Sequence, residues 1–303
     1  MGVETPLERA PDELGAGREV WLKREDVHEL GAFKWRAALP VVREYSRRGA
    51  PAVVTASTGN HGAATAWASG QVGVRAIVYA PEQASATKLQ LLRSLGAELR
   101  LVDGDLDDAK DRARADCELW RLPFFEDGAE PLQYEAYAAI GEEIAAQAPT
   151  PPAAVVVPVG NGALLAGVGR ELARRAPSAL RVGVVAKAAP AMADSWEAGH
   201  PITSPTSETI ADGLAVRVAI PAAVDALRKT ADRMVRVSER ELAGALASFA
   251  RAGLRVEAGA AAPLAALPQL DDVEGMLVVV VSGRNIDDEL WERAVSDPES
   301  FPD

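Results

Sequence analysis

Ala153-Ala154-Val155-Val156-Val157-Pro158-Val159-Gly160-Asn161-Gly162-Ala163-Leu164-Leu165-Ala166-Gly167 decides how this chain folds. Its first half is a nearly continuous apolar string. Strands buried on both faces read this way, as in parallel sheets covered by helices. The run stops at a turn of small residues, and a helical pattern begins at once. The same alternation recurs along the chain. Apolar runs stand at 20–23, 52–56, 74–80, 97–102, 153–158, 180–186, 233–238 and 276–282. Helical patterns fill 34–48, 60–71, 84–95, 106–119, 131–147, 162–175, 221–230, 239–252 and 258–267. Fifty-nine alanines support the helices. Ser238-x-x-Glu241 forms a capping-box pattern at one helix start. Strand–helix alternation predicts an α/β fold of open, mostly parallel sheets flanked by helices. Segment 148–153, rich in proline, is the clearest break, and 199–221 is polar and irregular.

The 303 residues suit one large domain or two ordinary ones. Apolar and charged fractions of 48% and 25% are those of a globular protein, not a disordered or collagen-like one. A net charge of −12 argues against nucleic-acid binding, because phosphate contact needs basic surface. Half of that charge lies in 286–303, which holds seven acids and one arginine. A single cysteine, Cys117, forms no internal disulfide, and a reduced cytoplasmic setting is expected. Three histidines and one cysteine speak against a structural zinc site. No run of 18 apolar residues predicts a membrane span, and the first fourteen residues have no apolar signal core.

Four strand ends carry unusual residues, and ligands of open α/β sheets bind beyond the carboxyl ends of strands. Gly31-Ala32-Phe33-Lys34-Trp35-Arg36 puts a lysine at a helix start. That end of a helix disfavours a cation, which suits an amine used for Schiff-base chemistry. A solvated surface lysine reads the same way. Thr55-Ala56-Ser57-Thr58-Gly59-Asn60-His61-Gly62 gathers hydroxyls and N–H groups at a helix start, a place for a carboxylate or a plain N-cap. Val159-Gly160-Asn161-Gly162-Ala163-Leu164-Leu165 can cradle a single phosphate, or is only a tight turn. Leu165 stands where a dinucleotide fingerprint needs glycine, and no Walker lysine follows. Val281-Ser282-Gly283-Arg284-Asn285 ends the last apolar run on a neutral hydroxyl. It fits a ring nitrogen or a polar strand terminus.

Taken in order, these segments resemble the fold-type II pyridoxal-phosphate enzymes, in the threonine/serine dehydratase (ammonia-lyase) and serine racemase branch. Thr5-Pro6-Leu7, Leu22-Lys23-Arg24-Glu25-Asp26, Glu208-Thr209-Ile210-Ala211-Asp212-Gly213-Leu214 and Val256-Glu257-Ala258-Gly259-Ala260 extend the resemblance over nearly the whole chain. It implies two open twisted sheets of the tryptophan-synthase-β kind. A small mobile domain of 50–128 would sit within a larger cofactor-binding one of 1–49 and 129–303, closing over substrate. Lys34 would hold pyridoxal 5'-phosphate covalently and take the α-proton, with Phe33 beside the ring. Asn60 would meet the ring's phenolic oxygen, and Ser282 the pyridine nitrogen. Backbone N–H groups of Gly160, Asn161, Gly162, Ala163 and Leu164 would hold the phosphate. Ser57, Thr58, Gly59, Asn60 and His61 would take the substrate carboxylate, and Gly213 would leave room over the ring. A homodimer is expected.

The implied reaction is β-elimination of a β-hydroxy amino acid such as L-threonine or L-serine, giving a 2-oxo acid and ammonia. A neutral Ser282 leaves the ring a moderate electron sink, which favours loss of a β-hydroxyl over transamination. Rival readings are a racemase, with Thr58 as the second proton donor, a dehydratase of hydroxyaspartate, phenylserine or ectoine-derived substrates, and a β-replacement or threonine-synthase-like enzyme. A cofactor-binding sensor without catalysis is the non-enzyme rival. Departures from the family pattern are Arg284, Asn161 and Ala163, which stand in places of glycine. Arg284 is expected to pair with the acidic C-terminus or to reach a substrate side chain. No divalent metal is expected, because Val185 and Ala191 stand where part of the family has carboxylates, with Asp194 nearby. At this length no C-terminal regulatory domain of the kind found in biosynthetic threonine dehydratases is expected.

Overall fold

The computed structural model describes residues 4–15 and 17–303. Met1–Val3, the start of the segment read for a signal core, and Ala16 lie outside the described residues. The chain forms two compact units: the segments up to Phe33 and from Tyr137 onward make one, and Lys34–Ala136 the other. The expected small domain of 50–128 lies inside the second unit, which extends further at both ends.

In chain order the strands are β1 (Leu7–Arg9), β2 (Val20–Arg24), β3 (Ala52–Ala56), β4 (Arg75–Pro81), β5 (Glu98–Val102), β6 (Ala154–Pro158), β7 (Leu180–Ala186), β8 (Arg233–Val237) and β9 (Leu277–Val281). The first unit holds a six-stranded sheet in the order β1-β2-β9-β6-β7-β8. All its neighbours are parallel except β1, which runs antiparallel to β2. The central strands β6 and β9 are buried along their whole length, as their continuous valine runs require. Helix Ala258–Ala265 is buried throughout, so small side chains suit every face of it. Val279 pairs with Val156, a register that carries Ser282 level with Val159. The end of β9 and the glycine turn after β6 therefore share one edge of the sheet.

The second unit is a parallel three-stranded sheet in the order β3-β4-β5 with helices around it. Helices Trp35–Arg47, Asn60–Val72, Ala86–Ser94 and Leu106–Trp120 belong to it. Cys117 is buried here, and burial, reinforced by Asp116, pushes its thiol up to about 11. Alkylation of the native protein near pH 8 is therefore expected to run on the order of a hundred-fold slower than in denaturant. Equal rates with a thiol reagent would show that the thiol is open to solvent.

The capping box at Ser238 is present: its hydroxyl accepts from the Glu241 N–H, and Glu241 accepts from the Ser238 N–H. Three features depart from the pattern expected. β1 was not legible, being three residues long with two of them exposed. Helix Ala191–Ala198 follows the proline at 190. The acidic segment after Asn285 is no loose tail. It forms helix Asp288–Ser296, and Ala294 and Phe301 are buried in the core of the first unit. The Arg240 N–H donates to the Pro302 carbonyl, which fastens the end of the chain. No helix among the described residues is long and apolar enough to cross a membrane.

Candidate active site

In the first unit the turn after β6 leads straight into helix Ala163–Arg175. Gly162 caps that helix at φ +92°, a conformation L side chains rarely adopt, and has no side chain of its own to offer the first turn. A Cβ on Gly160 would collide with the Gly213 carbonyl oxygen, so glycine is what lets these two turns meet. Gly213 itself faces open space. Asn161 and Ala163 avoid positive φ, so neither needs to be glycine. The Asn161 carboxamide oxygen accepts from the Ala163 N–H at 3.0 Å. That N–H is one of those expected to serve the phosphate. The first turn of a thirteen-residue helix, with its N–H groups and dipole directed outward, suits a phosphate dianion.

Ser282 is 3% exposed, and among the described residues its hydroxyl has no hydrogen-bond partner. Its oxygen is not one of the fully enclosed polar atoms left without a partner, so it keeps an open side for a ligand. A pyridine nitrogen is a group it would satisfy. Ser282 is also tied to the lysine motif through the backbone, because the Phe33 N–H donates to its carbonyl at 3.0 Å. Phe33 is buried with its ring 4.9 Å from that of Tyr137. The Glu257 N–H donates to the Gly283 carbonyl, which pins the Val256–Ala260 segment to the same strand end. Arg284 does not pair with the acidic C-terminus as expected: among the described residues no carboxylate is within ion-pair reach of it. Arg255 takes that role, through Asp288.

In the second unit Lys34 stands at the start of helix Trp35–Arg47, as its sequence position requires. Its Nζ donates to Oδ2 of Asp127 at 2.6 Å. The turn after β3 places Ser57, Thr58 and Gly59 directly ahead of helix Asn60–Val72, whose first residue is Asn60. The Gly59 N–H donates to the Ser57 hydroxyl at 3.2 Å. Gly59 is the N-cap, has extended backbone and leaves the first turn without a side-chain cap. Such a turn can receive a carboxylate.

His61 is placed differently from its neighbours. It is buried, and Nε2 lies 3.1 Å from the Phe125 carbonyl. A carbonyl only accepts, so Nε2 carries the proton. Nδ1 lies 3.6 Å from Oδ1 of Asp127, and the ring packs edge-on against Phe125. Burial lowers the affinity of this ring for a proton; Asp127 opposes that, and the Lys34 charge adds to it. His61 is therefore neutral at pH 7, with its one N–H already used. It serves better as packing than as a ligand for substrate.

Asp127 was not legible as a site residue. Burial raises its proton affinity, but the Lys34 charge and hydrogen bonds from Lys34 and Gln133 outweigh that and hold its carboxyl well below the usual carboxylate range. Burial, with Asp127 nearby, pushes the Tyr134 phenol up to about 12. Among the described residues no group of three or more His, Cys, Asp or Glu is placed to hold a metal ion. Asp194 is instead paired with Arg236, as is Glu197.

The family model described as pyridoxal-phosphate dependent enzyme matches residues 2–283, from before β1 to just past Ser282. The chain belongs to the pyridoxal-phosphate-dependent enzymes. It is 34% identical over 275 residues to the L-threonine ammonia-lyase of Geobacter sulfurreducens, covering 89% of this chain and 68% of that one. Among solved structures it is similar to the threonine deaminase of T.th., with TM-score 0.87, 31% identity and 93% of each chain covered. It is also similar to the processed form of threonine deaminase isoform 2 from Solanum lycopersicum, with TM-score 0.91 and 28% identity over 97% of this chain and 88% of that one. Pyridoxal phosphate is thus the cofactor of this family member. The first turn of the helix after Gly162, in which the Asn161 carboxamide takes only the Ala163 N–H, and the unpartnered hydroxyl of Ser282 fit its phosphate and its ring nitrogen.

Proposed function

We propose that this pyridoxal-phosphate-dependent lyase deaminates L-threonine, and L-serine as a smaller analogue, to the corresponding 2-oxo acid and ammonia. The observation that carries this reading is Ser282, a neutral hydroxyl without a hydrogen-bond partner among the described residues, on a buried residue just past β9. The similarity to threonine ammonia-lyases along most of the chain supports it. When bound, the cofactor supplies a carbonyl carbon for an amine and a conjugated ring that takes up the electrons of the α-carbon. Lys34 carries it and then serves as the base that removes the α-proton. The N–H groups of 160–164 would hold the phosphate, with that of Ala163 released from the Asn161 carboxamide, and Asn60 would meet the phenolic oxygen. Ser282 would hydrogen-bond the ring nitrogen without giving it a full proton. That limits delocalisation into the ring and favours departure of the β-hydroxyl. Ser57 and Thr58, with the N–H groups that follow, bind the substrate carboxylate. His61 supports them from behind. A homodimer in the cytoplasm accompanies this reading.

The test is a substrate panel with purified protein loaded with pyridoxal phosphate. Ammonia and 2-oxo acid are expected in equal amounts from L-threonine, more slowly from L-serine, and not from L-alanine. Faster release from 3-hydroxyaspartate or phenylserine would displace threonine as the substrate. Thr58 gives the racemase alternative its one structural support, because its hydroxyl has no hydrogen-bond partner among the described residues. Recovery of D-allothreonine, the epimer at the α-carbon alone, from L-threonine, or of D-serine from L-serine, would establish that side activity.

A further inference from the structure

The second unit supplies Lys34 with an acceptor that is oriented independently of it. Asp127 lies 93 residues further along, and its Oδ2 receives Nζ at 2.6 Å. Its other oxygen accepts from Nε2 of Gln133 at 3.0 Å. Gln133 is wholly buried and cannot turn over. Its Oε1 accepts from the N–H groups of Gly128 at 2.8 Å and Glu130 at 3.3 Å, so its NH2 must face Asp127. The Tyr134 hydroxyl closes the same turn by donating to the Gly128 carbonyl at 2.6 Å. The carboxylate is thus fixed by its own loop, and a long flexible side chain is brought to it.

We propose that Asp127 is a positioning residue for Lys34, a dock for the amine whenever it is not bonded to the cofactor. This rests on Lys34 being the residue that carries the cofactor. The consequence has a definite sign. When a substrate ammonium exchanges with Lys34, the C=N bond to the Lys34 nitrogen breaks and one to the substrate nitrogen forms. The protons brought by the substrate nitrogen leave with Lys34 as its ammonium. Atoms and charge balance, and no electrons are gained or lost. A carboxylate that stabilises the released ammonium more than the bonded nitrogen pulls this exchange toward substrate. For the same reason it weakens the hold on cofactor alone, because the docked ammonium competes with the loaded lysine.

Asp127→Asn removes the charge and leaves one acceptor oxygen for two donors. Two titrations followed by cofactor absorbance test the dock without turnover. Affinity of the cofactor-free protein for pyridoxal phosphate is expected to rise about tenfold, the size of one charge-assisted hydrogen bond. Affinity of the loaded protein for L-alanine, which has no β-hydroxyl to lose, is expected to fall by a similar factor. A merely structural role would weaken both together. The double variant Asp127→Asn/Gln133→Glu lets the new amide donate to residue 133 and accept from Lys34, and should move both constants back. Unchanged constants, or constants that fall together in a folded variant, would overturn the proposal. If Asp127→Asn is recovered unfolded, Gln133→Leu keeps the charge but frees its orientation. It should shift both constants in the same senses by a smaller factor, and no shift overturns the dock. Protein that shows the opposed shifts but releases no ammonia from threonine refutes the ammonia-lyase reading alone. Protein that releases ammonia without the shifts refutes the dock alone.

Discussion

Lys34→Ala is expected to lose covalent capture of pyridoxal phosphate and to lower kcat for ammonia release by roughly 10^3-fold or more, since a base and a nucleophile vanish together. Borohydride reduction followed by peptide mass should place the cofactor on Lys34 in the parent protein and nowhere in the variant. A variant that keeps a reducible cofactor bond, or more than a tenth of the parent rate, would remove Lys34 from its role. The same substitution has a consequence for stability. Asp127 has its proton affinity lowered in the fold, chiefly by the Lys34 charge working against burial. A depressed carboxyl stabilises the folded state at pH above its unfolded value, about 4, and that contribution is lost as pH falls through the folded value. Lys34→Ala removes most of the cause. The variant should therefore be less stable than the parent at pH 7, and the difference should shrink toward acid. Thermal unfolding at pH 7 and pH 3 measures both.

Lys23→Ala is expected to destabilise the folded protein by about 3–5 kcal/mol, the usual cost of stranding a buried charge. Lys23 has no exposed surface, and its Nζ lies 2.6 Å from both the Glu143 carboxylate and the Thr5 carbonyl. The Thr5 hydroxyl in turn donates to Glu25 at 2.5 Å. These contacts fasten the short strand β1 and the segment before it to helix Pro131–Gln147. Without the ammonium, Glu143 must lie charged in the interior or take up a proton. Lys23→Met combined with Glu143→Leu should recover most of the loss, because a buried pair exchanged for apolar groups of similar volume is nearly neutral. Urea unfolding of the two variants decides it. A single variant within about 1 kcal/mol of the parent would mean that Glu143 is not held by this pair.

Each apolar run formed a strand near its expected bounds; the valine-rich β3, β6 and β9 are buried along their whole length, whereas β5 formed with no buried residue. β1 escaped because Leu7-Glu8-Arg9 is short and mostly exposed, so neither length nor alternation marks it. The helix Asp288–Ser296 escaped because its acids dominate its composition. Yet Leu290, Trp291 and Ala294 recur at helical spacing and pack against the core. Arg284 and His61 show the same limit at the site. Their residue types suggest a cation and an imidazole offered to a ligand. Only the positions of Asp288, Phe125 and Asp127 show which groups their neighbours and their own atoms actually meet.

By itself the sequence determined the α/β architecture and the local motifs: Lys34 at a helix start, Ser57–His61 and Gly160–Leu164 at turns, and Ser282 at a strand end. Each of these depends on residues a few positions apart, where backbone geometry links spacing to place. Tertiary structure alone decided what those motifs face. Asp127 reaches Lys34 across 93 residues, Glu143 reaches Lys23 across 120, and Ser282 is left without a partner among the described residues. A charge or a hydroxyl carries no sign of its partner along the chain, because that partner is chosen by packing, burial and the cost of leaving a polar group unpaired.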